Sequence, residues 1–351
     1  MLENIQKKIE SHQRLSRSDV KWVYENASLP DIRKLASSTK HRFHPEDSAT
    51  YLIMGIINYT NICVAKCDYC AFYRLPHQDG TYLLTFKQIC DRIDQFLEIG
   101  GQLVSFNGGF HPKLKISDYA TLFQQIREKY GDKLEFYGMT VAEFMFSCKL
   151  SKLTYQEGAK ILREQGSKWV TGGGAEILDD AFRMRHSPGK FKVDDYYDAQ
   201  RAILDAKIGS TATMVIGFDE TLEERLNHLE KLRDFQDSTE HKLPSFLLWT
   251  YKPYNTELGG KEIDANEYLR WLGICRIYLD NFQTIRTSVL TQNEKGLEGL
   301  HYGANDFDLP TEDEVTEKAG ATINKDFEEI LRQATAIGVN PIKRAPITID
   351  F

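Results

Sequence analysis

Short runs rich in β-branched and aromatic residues alternate with longer amphipathic segments along most of the chain. The runs lie at residues 51–57 (YLIMGII), 102–107 (QLVSFN), 134–139 (LEFYGM), 168–171 (KWVT), 211–216 (TATMVI) and 245–251 (SFLLWTY). Two weaker ones lie near 282–287 (FQTIRT) and 297–302 (LEGLHY). Between them, residues 86–99 place apolar side chains at 86, 89, 93, 96, 97 and 99, close to a 3.6-residue period. Residues 116–130, 154–165, 193–206, 221–235 and 265–280 follow the same pattern, and Thr85, Ser117 and Asp264 stand where helix caps belong. Eight strand–helix units in succession predict an α/β protein, a (βα)8 TIM-type barrel. Residues 1–47 read as a helical extension before the first strand, 48–340 as the barrel, and 341–351 as an extended tail with two prolines. In such a barrel the chemistry sits at the C-terminal strand ends, so the residues just after each run carry the functional reading.

Composition narrows the class. The 351 residues are 41% hydrophobic and 27% charged, as in ordinary globular proteins. A formal net charge of −7 argues against nucleic acid as the main partner. No stretch approaches the ~18 apolar residues of a membrane span. The first fourteen residues, MLENIQKKIESHQR, are polar and have no apolar signal region, so a cytoplasmic protein is expected. In that compartment disulfides are disfavoured. Yet three of the six cysteines, Cys63, Cys67 and Cys70, fall within eight residues, which calls for a metal.

The three are spaced C-x3-C-x2-C immediately after the first run. Three thiolates on one loop suit three irons of a cubane cluster, leaving the fourth iron without a protein ligand. A zinc site would want a fourth ligand, and His77 is the nearest candidate. Cys90, Cys148 and Cys275 lie in helical patterns and read as small buried apolar residues.

With Tyr69 before the third cysteine, and at the end of the first strand of a βα repeat, this motif resembles the signature of the radical S-adenosylmethionine (SAM) superfamily. The resemblance implies an enzyme with a [4Fe–4S] cluster that cleaves SAM to methionine and a 5′-deoxyadenosyl radical. Later strand ends fit it. Asn107-Gly108-Gly109 resembles the glycine motif whose main chain meets the SAM amino group, where a ligand approaches the backbone closely. Gly172-Gly173-Gly174-Ala175-Glu176 offers free N–H groups, with Glu176 as an acceptor for ribose hydroxyls. Arg183 and Arg185 are candidates for the SAM carboxylate. Thr213-x-Val215-x-Gly217-x-x-Glu220 resembles the adenine-contacting strand, although Glu220 reads equally well as a helix N-terminal charge.

A smaller group within the superfamily is similar over roughly residues 50–320. The matching segments, in order, are 58–74 with 80–84 (GTYLL), 107–112 (NGGFHP), 172–178 (GGGAEIL), 185–188 (RHSP), 232–237 (LRDFQD), 249–256 (WTYKPYNT) and 303–306 (GAND). The group holds the dehypoxanthine futalosine cyclases, and beside them, as alternatives, the aminofutalosine synthases and deazaflavin FO synthase subunits. The first resemblance implies abstraction of a ribose hydrogen from dehypoxanthine futalosine and addition of the sugar radical to the benzoate ring. Loss of an electron and a proton then gives the cyclic product for menaquinone biosynthesis. It also implies flavodoxin or ferredoxin as electron donor. Departures occur at Asn107, at Phe218-Asp219 and at residues 307–310. For the substrate carboxylate, Arg74, His111, Lys252 and Arg286 are candidates; for the base, Glu143, His111 and Asp219. Tyr69, Phe72, Tyr73 and Phe110 are candidates for shielding a radical from water. A metal-bearing structural protein without chemistry is the reading from another class, but a scaffold needs no glycine-rich loops at successive strand ends.

Overall fold

A computed structural model describes residues 1–44, 47–347 and 349. Ten strands form one sheet: β1 Ser48–Asn58, β2 Leu103–Asn107, β3 Glu135–Thr140, β4 Trp169–Thr171, β5 Gly209–Ser210, β6 Ala212–Ile216, β7 Ser245–Thr250, β8 Thr284–Thr287, β9 Asp306–Pro310 and β10 Asn340–Lys343. The order is β5-β4-β3-β2-β1-β9-β8-β7-β6, with β10 beside β1. Every pairing is parallel.

The sheet closes on itself through one interrupted strand. β5 and β6 are separated only by Thr211; β5 pairs with β4, and β6 with β7. At the gap, side chains replace ladder bonds, because buried backbone groups need partners. The Gly172 N–H donates to Thr211 Oγ1 (3.1 Å), Thr213 Oγ1 donates to the Gly172 carbonyl (2.9 Å), and Gln200 Nε2 donates to the Thr211 carbonyl (2.9 Å). Taken as one, β5 and β6 make this the expected eight-stranded α/β barrel.

The eighth strand is not where the hydrophobic pattern put it. Residues 297–302 belong to a helix, Glu294–Glu298, and a 3-10 turn, Gly299–Tyr302. The strand is β9, DFDLP, and its polarity has a cause. Asp306 and Asp308 face inward and meet Arg286 and Arg344, while Phe307 and Leu309 join the outer core. A second correction concerns the helix Val141–Ser151, whose seven buried residues leave no polar stripe to betray a 3.6 period. The helix Ile116–Tyr130 is capped at Lys115, one turn-step before the expected Ser117, with Asp118 accepting from the Lys115 N–H at 2.7 Å.

Three helices, Leu2–Glu10, Arg17–Asn26 and Leu29–Lys40, precede the barrel. Ser16 and Ser28 open the second and third with reciprocal capping boxes. The third packs on the helix Ala265–Tyr278, where a Cβ at Gly273 would stand 2.4 Å from Ile32.

The opposite end of the chain fills the bottom of the barrel. β10 runs beside the first residues of β1, from Ser48 to Tyr51. Arg344 follows it and reaches Asp306 Oδ1 at 3.0 Å. Beyond it, Ile347 and Ile349 pack on Leu52, Met54, Ile56, Leu103, Tyr137 and Trp169. Two arginines and two aspartates thus share one buried site under the barrel cavity. Arg344→Ala leaves Asp306, whose side chain is 0% exposed, short of a partner. The expected loss is about 3 kcal/mol, the scale for breaking a buried pair, read as a lowered urea midpoint at pH 7.

Candidate active site

The cysteine loop leaves β1 and is tied down at both ends. Asn61 Nδ2 donates to the Gly80 carbonyl (2.8 Å), and the Tyr82 N–H donates back to Asn61 Oδ1 (2.9 Å). The Cys63 N–H meets the Arg74 carbonyl and the Arg74 N–H meets the Asn61 carbonyl, closing the loop at its base. The 80–84 segment is thus bonded to the base of the cysteine loop. Two further loops clamp the cysteine loop from the side.

The first clamp is Gly108-Gly109. The Val64 N–H donates to the Phe110 carbonyl (3.1 Å), and the Phe110 N–H donates to Cys63 Sγ (3.2 Å). A Cβ on Gly109 would stand 2.6 Å from the Ile62 carbonyl oxygen and from Cys63 Cβ. One on Gly108 would meet the Tyr59 ring at 2.5 Å. Glycine is required here by contact with the cysteine loop itself. Glu143 holds this clamp. Its Oε1 accepts from the Gly108 N–H (2.9 Å) and from the Tyr59 hydroxyl; Oε2 accepts from Thr140 N–H (3.0 Å) and Oγ1 (2.7 Å).

The second clamp is residues 186–190. The Asp68 N–H donates to the His186 carbonyl (3.1 Å), and His186 Nδ1 pairs with Asp68 Oδ2 (2.9 Å). A Cβ at Gly189 would stand 2.5 Å from the Ala65 carbonyl oxygen. Lys190, next in the chain, enters the cavity and donates to Glu176 Oε2 at 2.8 Å.

At the C-terminal mouth of the barrel a cavity of about 370 Å³ is lined by all three loop cysteines. Burial pushes the Cys67 thiol up to about 12 and raises Cys63 and Cys70 as well. Opposing it, backbone N–H groups of Ala65 and Phe110 face Cys63, and those of Phe72 and Tyr73 face Cys70. N–H donors around buried sulfurs are what cluster thiolates need. Among the described residues no three His, Cys, Asp or Glu side chains gather tightly enough for a single metal ion. The three thiols line one cavity, with main-chain N–H donors on Cys63 and Cys70. The residues present therefore fit a cubane cluster. Cys90, Cys148 and Cys275 are buried elsewhere in the helical layers.

Of the residues singled out from sequence, Tyr69, Gly108, Gly109, Glu143, Gly174 and Glu176 line this cavity with the cysteines. Gly174 has φ +87°, and a Cβ there would stand 2.2 Å from that of Ala142. Other candidates stand outside it. Arg183 spends its guanidinium on the Phe191 (2.8 Å) and Ala175 (3.1 Å) carbonyls, holding the glycine loop from behind. Glu220 accepts from the Gly217 N–H (2.7 Å) and from Arg225, which fixes the turn after β6. Asp219 pairs with His186 Nε2 (2.7 Å) and with Arg185. His111 accepts from the Lys113 N–H (3.3 Å), and burial lowers its pKa. Of the carboxylate-binding candidates, Lys252 and Arg286 line the cavity; Arg74 instead caps the Tyr73 carbonyl (2.8 Å).

Sequence reasoning missed Lys190 and Asp313. The signal for Lys190 was its place two residues after the RHSP segment. Asp313 lies just past β9, where the chain departs from the cyclase pattern. It also borders the cavity, and burial pushes its carboxyl up to about 6.

A parallel barrel carrying three thiols of one loop in a cavity at its C-terminal mouth is the frame of a cluster-dependent enzyme. The chain belongs to the radical SAM superfamily, whose family model matches residues 57–232; a second model, CofH/MqnC C-terminal region, matches 241–346. Its cofactors are a [4Fe–4S] cluster and SAM. Cyclic dehypoxanthine futalosine synthase of Halalkalibacterium halodurans is 34% identical over 95% of this chain and 90% of its own. Aminodeoxyfutalosine synthase of Thermus thermophilus is 30% identical over 97% and 93%. Among solved structures, methylornithine synthase superposes with TM-score 0.72 at 16% identity, covering 96% of this chain and 97% of its own. The maturase HydG from Carboxydothermus hydrogenoformans gives 0.72 at 13%, covering 97% and 79%.

Two outcomes are expected. Gly109→Ala pushes the cysteine loop away and lowers the iron and sulfide content of reconstituted protein relative to wild type, by chemical analysis. Asp313 titrates at about 6 when folded, above the ordinary 3.8. Its neutral form is favoured by folding, so its contribution is full below about pH 4 and is lost as pH rises through 6. The stability gap between wild type and Asp313→Asn, followed by urea unfolding at pH 4 and pH 7, changes in that direction.

Proposed function

We propose that this protein cyclises dehypoxanthine futalosine to cyclic dehypoxanthine futalosine, a step towards menaquinone. The observation that carries this is the 34% identity to a cyclic dehypoxanthine futalosine synthase along nine-tenths of both chains. A second synthase of that name, from Streptomyces coelicolor, is 31% identical over 95% of this chain. Cys63, Cys67 and Cys70 would hold the cluster, which together with SAM would supply the radical chemistry.

The chain's own residues have separable tasks. Gly108, Gly109 and Gly174 present main chain to the cofactor side of the cavity. Glu176 offers its carboxylate there, with Lys190 attached. Phe110 stacks on Phe146 with ring centroids 4.8 Å apart. Tyr69, Phe218 and Tyr251 form a second aromatic wall, with centroids 5.2 and 4.5 Å apart, and both walls exclude water from the reacting centre. Lys252 reaches the cavity while held by Glu262 (2.6 Å), and Arg286 forms part of its floor. Exchange of the Glu262 carboxylate for that of a benzoate puts Lys252 on the substrate.

Among the described residues no helix is long and apolar enough to cross a membrane, which is consistent with a cytoplasmic enzyme. A flavodoxin or ferredoxin is the proposed electron donor. The second reading, an aminofutalosine synthase, rests on the 30% identity to the Thermus thermophilus enzyme.

The test is anaerobic reconstitution with iron and sulfide, reduction, and incubation with SAM and dehypoxanthine futalosine. The expected products are 5′-deoxyadenosine and a species two hydrogens lighter than the substrate, by mass spectrometry. Cys63→Ala, Cys67→Ala and Cys70→Ala each abolish both products, while Cys275→Ala retains them. Cleavage of SAM with the substrate untouched refutes the cyclase reading.

A further inference from the structure

Lys190 is a buried ammonium at the cysteine loop for which the assigned chemistry has no use. Its side chain is 9% exposed, and it borders the same cavity as the three thiols. Its Nζ stands 5.5 Å from the centroid of the Tyr69 ring, and Tyr69 lies between Cys67 and Cys70. The preceding Gly189 touches the Ala65 carbonyl so closely that no Cβ fits. The backbone that carries the lysine is thus in van der Waals contact with the loop that carries the cysteines. The ammonium has three donors, and among the described residues its partner of opposite charge is Glu176.

We propose that Lys190 is a positioning residue for the cluster's charge: its fixed positive charge beside the cysteine loop stabilises the reduced cluster, and Glu176 moderates it. Reduction adds one electron to a cluster already carrying three thiolates, so a cation in a dry cavity favours the reduced state. Lys190 and the three sulfurs line one cavity of about 370 Å³, so its charge acts on all three ligand positions. Two carboxylates on the same cavity, Glu143 and Glu176, act in the opposite sense, and Glu176 touches the lysine itself at 2.8 Å. Burial opposes the charge on Lys190, and the Glu176 carboxylate at 2.8 Å holds the ammonium protonated. The inference rests on the radical SAM class of the protein and is independent of which substrate it uses.

The experiment is a redox titration of the reconstituted cluster by electron paramagnetic resonance, without SAM or substrate. Wild type is compared with Lys190→Met, Lys190→Arg and Glu176→Gln, each checked for full iron content. The expected midpoint of Lys190→Met is more negative than that of wild type. Lys190→Arg keeps the charge and stays near wild type, and Glu176→Gln, which unmasks the lysine, moves to a less negative value. A loaded Lys190→Met with an unchanged midpoint overturns the proposal, as does Lys190→Arg shifting as far as Lys190→Met. If Lys190→Met does not hold a cluster, Glu176→Gln decides: an unchanged or more negative midpoint overturns it.

Discussion

A thiolate taken out of water is expensive unless something nearby answers its charge. Here three sulfur atoms sit on one loop inside a cavity, and Cys67 is 5% exposed. Left alone, each keeps its proton; bound to iron, each gives it up. The surroundings are arranged for the second state. Main-chain N–H groups from the cysteine loop and from Phe110 point at the sulfurs, and Lys190 adds a whole charge. Both glycine clamps exist because the loop must be gripped by backbone, at distances that no side chain tolerates.

The barrel serves that loop by leaving room above a filled base. In a packed TIM barrel the interior is occupied by layers of branched apolar side chains. In this chain the lower interior is taken by Arg286, Asp306, Asp308 and Arg344, with Ile347 and Ile349 folded in beneath. Four charges in a buried site are stable only as a balanced set. They are rigid for the same reason, so the cavity floor is hard and polar while its walls are aromatic. A substrate with a carboxylate at one end and an aromatic ring next to it matches such a container.

What was legible in the sequence follows the range of each interaction. Cys63, Cys67 and Cys70 read clearly because their constraint is local, a loop's worth of spacing. The repeat of strands and helices read clearly because burial imposes a period. Failures came where burial removed the contrast or inverted it. The helix Val141–Ser151 is hidden on most sides, so its pattern carried no stripe. β9 carries aspartates inward because arginines from β8 and the tail await them, so its alternation looks wrong for a strand. Lys190 lies more than a hundred residues from the cysteines and has nothing local to mark it. Arg183 was given to the cofactor by its position, yet its Nε and Nη1 are directed to three carbonyls behind the glycine loop.

The carboxylates make the same point in a sharper form. Thr140 with Glu143 and Thr221 with Glu224 are capping boxes, an acid three residues into a helix that begins at a strand end. An acid so placed looks catalytic from sequence, because barrel chemistry also belongs at strand ends. The two roles are separated by counting the bonds on the carboxylate. Glu143 accepts four, from Thr140 twice, Tyr59 and Gly108, so neither oxygen is left bare. Its cavity position therefore serves the glycine clamp: it fixes the Gly108 N–H, and through Gly109 and Phe110 it fixes Cys63. Asp219 and Glu220 each commit one oxygen, Asp219 Oδ1 to His186 and Arg185 and Glu220 Oε1 to the turn at Gly217 and to Arg225. Glu220 Oε2 is buried without a partner among the described residues. Among the strand-end acids, Glu143 and Glu220 hold backbone in place, whereas Glu176 borders the cavity beside the thiols and Lys190.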